Sequence, residues 1–437
     1  MRMEDMIIAS VDDHLSEPPD MFELVLDGAD LASAPKFLTT PEGKNFWSYQ
    51  GIHMRTVGLN AVVGRPLEEY GMEPTSLDQL RKGCWDVHAR IDDMNVNGIA
   101  VSLNFPQAFS HDGGRFYQAE DKRLAAIHLR AYNDWHLDVW CAAYPGRFIP
   151  CAILPLWDME ATVAEIARVA AKGCTAVTVS DNPTAHGLPS IHNAYFEPFF
   201  KAIADHDMTI CCHIGVGNPA PIASSESPIE AWITTMPMSI STGAADWLNL
   251  EALQRYPDLR ICLAEGGIGW IPYFLERADF ANSRHKYWTH SIFQDKKPSE
   301  VFHRHFMNCF VDDKFGLRHL DEMSEDMVAY ECDYPHSDSL WPDVPEHLWE
   351  SVKILTDTQI DKVTHLNALR FFRFDPFAHH AREELTVGAL RAAARAANVD
   401  TTPRSSGGER PLGEGERRRP ITSGDLQKMF SRHAENA

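Results

Sequence analysis

Eight short, nearly unbroken apolar runs recur along the chain, at residues 6–12, 98–105, 148–155, 175–180, 208–213, 259–265, 307–311 and 327–333. Short runs without polar alternation are the pattern of strands buried on both faces. Stretches with helical periodicity lie between them, at 86–97, 121–143, 158–172, 194–207, 246–256 and 270–282. Repeated strand-then-helix units predict an α/β protein built as a (β/α)8 TIM barrel rather than an open doubly wound sheet. No Gly-x-Gly-x-x-Gly follows a strand, so a dinucleotide site has no support.

Two stretches break the rhythm. Residues 23–85 hold Trp47, Tyr49 and several Pro and Gly residues, and read as a cap inserted after the first strand. Residues 215–237 follow the fifth strand and edge the same mouth. Long loops in a compact domain, when aromatic enough to be ordered, are commonly functional. The chain divides into a barrel with its cap over 1–378, a C-terminal helix within 379–400 and a flexible tail over 401–437. Within the tail, 401–420 has linker composition and 425–433 has the pattern of one short amphipathic helix.

Charge narrows the partners. The 437 residues include 40 Lys plus Arg against 62 Asp plus Glu, a formal net charge of −22. Such a chain repels phosphate backbones and anionic membrane surfaces, so neither nucleic acid nor membrane is an expected partner. A hydrophobic share of 44% and a charged share of 23% exclude a wholly disordered chain. The first ten residues lack the basic region and long apolar core of a secretory signal. No apolar run approaches the roughly 18–20 residues of a membrane span. The nine cysteines are scattered and lack Cys-x-x-Cys spacing. They read as reduced core residues of a cytoplasmic protein rather than a zinc-thiolate site.

In a barrel of this kind the reacting groups collect at the C-terminal ends of the strands. Those ends carry Asp12, His14 and Glu17 on strand one, His213 on strand five, Glu265 on strand six, and Asp333 with His336 on strand eight. Asp12 and His14 are two apart on extended chain and face the same way. With His213 and Asp333 they make a nitrogen and oxygen set suited to Zn, Fe, Mn or Ni. Other candidates read two ways. Glu17 is a metal ligand or a loop brace. His192, after strand four, is a ligand or a surface loop residue. His336 is a ligand or a group that orients one. Glu265 precedes Gly266 and Gly267, which would let a ligand approach closely, and reads as a site residue. His111, in Ser110–His111–Asp112–Gly113, reads as a structural residue ahead of a pocket-lining one.

The segments around these residues resemble the amidohydrolase superfamily. The resemblance is strongest to the branch that includes aminocarboxymuconate-semialdehyde decarboxylase and resorcylate decarboxylase. It is carried by VDDHLSEP at 11–18, GLPSIHNAYFEPFF at 187–200, HIGVG at 213–217, EGGIGWIPYFLER at 265–277 and CDYPHSDSLWP at 332–342, and runs from about residue 6 to 375. It implies that Asp12, His14, His213 and Asp333 occupy the family's metal positions. It also implies that Asp333 handles a proton of the metal-bound water. Three departures stand out. Asp-x-His replaces the His-x-His of zinc-type members. No lysine sits in strand four. Glu265 stands where the decarboxylases carry a catalytic His after strand six.

The first reading is a metal-dependent enzyme that hydrolyses a small carboxylated or carbonyl substrate, or cleaves it as a lyase or decarboxylase. A metal-activated water would act with Asp333, Glu265 and His336 as catalytic groups, and one Zn suits this chemistry. The alternative is an O2-dependent hydroxylase with a dinuclear non-heme Fe or Mn centre. It would draw on Asp12, Glu17, Glu265, Asp333, His192 and His336, because Asp in place of His hardens the site. A third reading is an inactive structural partner in a hetero-oligomer. Symmetric assemblies are common, so a homodimer or higher homo-oligomer is the expected state.

Overall fold

The strands are, in chain order, β1 Ile8–Leu15, β2 Lys36–Thr39, β3 Asn45–Tyr49 and β4 Ile52–Met54 in the inserted stretch, and then β5 Ile99–Pro106, β6 Phe148–Ile149, β7 Cys151–Ile153, β8 Ala176–Val179, β9 Thr209–His213, β10 Arg260–Ala264, β11 Phe306–Phe310 and β12 Val328–Tyr330. This computed structural model describes residues 1–55, 57–72, 74–407, 413 and 415–428. β6 and β7 are one strand interrupted at Pro150, which has no N–H for the ladder. β1 pairs with β5 and β5 with β6, and β7 to β12 pair in sequence order, all parallel. The circle closes between β12 and β1. Asp333 N donates to Asp12 O at 2.9 Å, and His14 N to Tyr334 O at 2.6 Å. The result is the expected (β/α)8 barrel.

Strand alternation separates two cores. Cys211, Cys262, Cys309 and Ala329 pack inside the barrel, while Ile210, Leu263, Phe310 and Tyr330 pack outward against the helices. All nine cysteines are buried and unpaired. The helices begin where short acidic side chains cap them. Asp86, Asp121 and Asp158 accept the backbone N–H of Ala89, Leu124 and Ala161 at 2.9, 3.0 and 3.0 Å. The expected helix at 246–256 instead comprises Ile240–Leu248 and Ala252–Arg255, and the helix from 270 continues as Ile271–Thr289. Among the described residues no helix is long and apolar enough to cross a membrane.

The first strand was expected to stop at residue 12 but runs to Leu15, because Asp13 and His14 are polar yet, like Leu15, still paired to β5. Ser10 pairs with Ser102 and Asp13 with Asn104, so β1 carries one residue more than β5 between these pairs. A bulge of this kind reverses the alternation. Ile7, Ala9 and Val11 face the inner core. Beyond the bulge Asp12 and His14 turn inward instead.

β2, β3 and β4 form a small antiparallel sheet between β1 and the helix Val87–Val96. Trp47 anchors it, fully buried, with its ring 5.8 Å from Phe22 and 5.5 Å from Phe109. The chain then crosses the end of strand eight, where Val62 N and Val63 N donate to Pro335 O at 3.0 and 3.2 Å. Arg404 and Ser406, inside the stretch of linker composition, hydrogen-bond to Gly64 O and Gln79 O at 2.8 and 2.7 Å. Ser423 N donates to Ser227 O at 2.9 Å, and residues 423–428 are helical with Leu426 buried. Residues 429–433 of the expected short helix lie outside the described residues.

Candidate metal centre

Four strand ends deliver their polar residues to one point. β1 supplies Asp12 and His14, β9 ends on His213, Glu265 follows β10 and Asp333 follows β12. His213 Nε2 lies 3.3 Å from Asp12 Oδ2, from Glu265 Oε2 and from His14 Nε2. His14 Nε2 lies 3.4 Å from Asp12 Oδ1 and 3.3 Å from Asp333 Oδ1. His213 Nδ1 is committed to Ile214 O at 2.7 Å, which leaves its Nε2 lone pair facing the cluster.

The carboxylates of the cluster are left incompletely satisfied. Asp12 Oδ1, Asp12 Oδ2 and Asp333 Oδ2 are buried and have no hydrogen-bond partner. Burying an unpaired carboxylate oxygen is costly, so this arrangement calls for a cation. One atom each from Asp12, His14, His213 and Glu265 falls within 4.8 Å of the others. Ligand bonds of about 2.0–2.2 Å at tetrahedral angles hold donors about 3.3–3.6 Å apart, the separation seen from His213 Nε2 to Asp12, Glu265 and His14 at 3.3 Å each. His14, Asp333 and His336 form a second such group, and His14, His111 and His213 a third.

The electrostatics agree. Burial, followed by the charge of Asp333, pushes Asp12 and Glu265 well above the usual carboxylate range. Burial, followed by His336, holds His14 well below the usual imidazole range. Mutually repelling carboxylates beside imidazoles kept neutral are the environment that a divalent cation reverses. Hard oxygens and neutral nitrogens without a thiolate fit Zn, Mn or Fe.

Two of these residues sit in strained backbone. Glu265 has φ 58° and Asp333 has φ 52°, both left-handed. Such conformations in side-chain-bearing residues persist only when neighbours over-determine them, and they concentrate at functional sites. The glycines after Glu265 serve a different purpose from the one expected. A Cβ on Gly266 would come within 2.5 Å of Ile240 Cγ2, and Gly267 is itself left-handed at φ 63°. They permit packing and a turn rather than ligand approach.

Two sequence candidates stand apart from the cluster. Glu17 is buried, but its carboxylate accepts Gln107 N at 3.1 Å and Ala108 N at 2.9 Å, and burial pushes it up to about 7. Backbone amides occupy both oxygens, so it braces the loop after β5. His192 lies 38% exposed and pairs with Asp246 Oδ1 at 2.9 Å on the surface. His336 does reach the cluster, with Nδ1 2.8 Å from Asp333 Oδ1 and Nε2 3.1 Å from Gln107 Oε1.

Sequence reasoning undervalued His111 and passed over Gln107. The His111 ring lies 4.3 Å from His213 and 4.6 Å from His14, and its Nδ1 faces Pro106 O at 2.8 Å. Both residues follow the C-terminal end of β5, so the rule that found His213 would have found them. Arg90 went unnoticed for lack of any motif. It is buried, donates to Gly83 O at 2.6 Å and to His14 O, and lies 4.3 Å from the Tyr334 ring.

The fold and site together define a (β/α)8 barrel whose mouth presents a donor set for a divalent cation. The chain belongs to the amidohydrolase family, whose model matches residues 43–374. It is similar to the 2-amino-3-carboxymuconate-6-semialdehyde decarboxylase of Dictyostelium discoideum, with 24% identity over 68% of this chain and 79% of that relative. An amidohydrolase from Mycobacterium avium subsp. paratuberculosis K-10 superposes with a TM-score of 0.66 at 17% identity, over 84% of this chain and 99% of that one. A 5-carboxyvanillate decarboxylase from Novosphingobium aromaticivorans, solved with bound manganese and 3-methoxy-4-hydroxy-5-nitrobenzoic acid, superposes with a TM-score of 0.61 at 17% identity, over 85% of this chain and 99% of that one.

Proposed function

We propose that this protein is a divalent-metal-dependent enzyme that removes a carboxyl group from, or hydrolyses, a small carboxylated aromatic or related carbonyl compound. The observation that carries this reading is the convergence of Asp12, His14, His213, Glu265 and Asp333 with three buried carboxylate oxygens left unpaired. The decarboxylases among its relatives support the lyase form. Asp12, His14, His213 and Asp333, with Glu265, would hold the ion. A cation bound there polarises a substrate oxygen and acidifies a bound water.

The chain's own groups then hold and move protons. Gln107 Nε2 is committed to Leu59 O at 3.0 Å, so Gln107 Oε1 accepts from His336 Nε2–H. The 2.8 Å contact between His336 Nδ1 and Asp333 Oδ1 then needs a further proton between those two atoms. The His336–Asp333 pair is thus built to hold a proton beside the substrate position. Glu265 is the second acid–base group. Residues 57–63 and Gln107 roof the strand-eight end and exclude water.

A specific observation favours a second reading. Of the groups that share His14, two contain carboxylates, one with Asp12, His213 and Glu265 and one with Asp333 and His336. Two Fe or Mn ions would suit that arrangement and O2-dependent hydroxylation. The inactive-scaffold reading has nothing comparable behind it.

Elemental analysis of protein purified without added metal, followed by a screen for CO2 release from hydroxybenzoates and related carboxylates, tests the proposal. About one divalent ion per chain with CO2 release supports it. About two Fe or Mn per chain with O2 uptake moves the assignment to the second reading, and no bound metal overturns both.

A further inference from the structure

Glu331 is a buried carboxyl that the proposed chemistry leaves without a task. It directly follows β12 and is 1% exposed. Val328 and Tyr330 face outward and Ala329 inward, so alternation turns Glu331 into the barrel. Its backbone N–H is spent on Phe310 O at 3.0 Å. Its side-chain Oε2 accepts the backbone N–H of Glu265 at 2.9 Å. That bond spans the barrel interior from the end of β12 to the end of β10, past the intervening β11.

Glu265 needs such a support. Ile261 and Leu263 face outward, so the period of two would send Glu265 outward as well. Its left-handed φ of 58° breaks the period and brings the carboxylate to 3.3 Å from His213 Nε2. Gly266 and Gly267 allow the turn to continue but do not make Glu265 adopt it. A side-chain-bearing residue stays in that region only where a neighbour holds it.

We infer that Glu331 is a positioning residue. By accepting the Glu265 N–H inside the barrel, it holds the left-handed turn that aims the Glu265 carboxylate at the metal centre. The inference rests on the reading of Glu265 as part of a cation site.

The test is a cobalt(II) titration of chelator-treated full-length protein, followed by visible absorption. Glu331→Leu keeps bulk and removes the acceptor, whereas Glu331→Gln keeps a carbonyl oxygen. Loss of the acceptor is expected to weaken Co2+ binding about tenfold and shift the visible band, as for other groups that orient a ligand. The Gln variant is expected to retain the parent band and nearly the parent affinity. A Leu variant with parent affinity and band overturns the inference, as does a Gln variant that fails as fully as Leu. Should the Leu variant not fold, amide hydrogen exchange on the unaltered protein decides. Slow exchange at Glu265 N–H supports the hydrogen bond to Glu331, and exchange as fast as in an exposed loop overturns it. If the unaltered protein binds no Co2+, the cation reading itself fails, whatever the exchange at Glu265 shows.

Discussion

Gln107 holds His336 from the side opposite Asp333: its Oε1 lies 3.1 Å from His336 Nε2, while His336 Nδ1 faces Asp333 Oδ1 at 2.8 Å. The same amide donates to Leu59 O at 3.0 Å, so one side chain ties the loop at Leu59 to the His336–Asp333 pair. Gln107→Leu should leave the metal content unchanged and lower turnover by roughly ten- to a hundredfold, the scale of losing a group that orients a site residue. Side-by-side metal analysis and steady-state kinetics check this. Loss of metal instead would show that the loop, not proton handling, depends on Gln107.

Metal removal should destabilise the protein, and one ligand substitution should invert that response. Without a cation, Asp12 is a buried carboxylate crowded by Asp333. Asp12→Asn removes one of the repelling charges, so the metal-free variant should melt higher than the metal-free parent. The same change should abolish the stabilisation from added Mn or Zn, about 2.7 kcal/mol at a hundredfold excess over Kd. Thermal melts with and without chelator read both effects. His213→Ala should likewise strip the metal, and full metal content in both variants would refute the ligand assignment.

Arg90 is the cation that steadies the strand-one end from outside the site. Burial raises Asp13 to about 6, and the charge of Arg90 works against that rise. Arg90→Met leaves Asp13 without its counter-charge and the Gly83 and His14 carbonyls without their donor. The expected loss is about 2–6 kcal/mol, at about 1–3 kcal/mol for each of the two buried carbonyls left without a donor. Arg90→Lys should recover only part of it, because an ammonium does not reproduce the guanidinium fork. Urea unfolding measures both.

His136 predicts an acid-sensitive fold. Its ring is 1% exposed with both nitrogens unpaired, and burial lowers it to about 4. The unfolded chain protonates this ring near 6.5, whereas the folded protein resists until about 4. Its contribution is therefore complete above pH 6.5 and lost as pH falls toward 4. The drop is about 3 kcal/mol from this residue alone. His136→Leu should flatten the stability profile across that window. An unchanged slope in urea titrations at pH 7, 6, 5 and 4.5 would remove His136 as its source.

Legibility followed locality. His213 and Asp333 were readable because each ends an apolar run, and polar residues at that position have few other uses. Glu17 looked equally eligible, yet two backbone amides claim it. His192 lies in a family-like segment, yet it pairs with Asp246 at the surface. His111 was discounted in isolation and matters only because two other imidazoles surround it.

Residue periodicity and side-chain chemistry alone determined the eight strands, most of the helices between them and the inventory of donors at the strand ends, since each depends on neighbours a few positions away. The closed barrel decided which donors meet. A one-residue bulge in β1 turns Asp12 and His14 inward, a left-handed turn brings Glu265 back over the mouth, and two hydrogen bonds from the segment after β12 to β1 set Asp333 beside them. Those outcomes depend on register between strands far apart in sequence and on competition for each buried hydrogen bond, which no local pattern encodes.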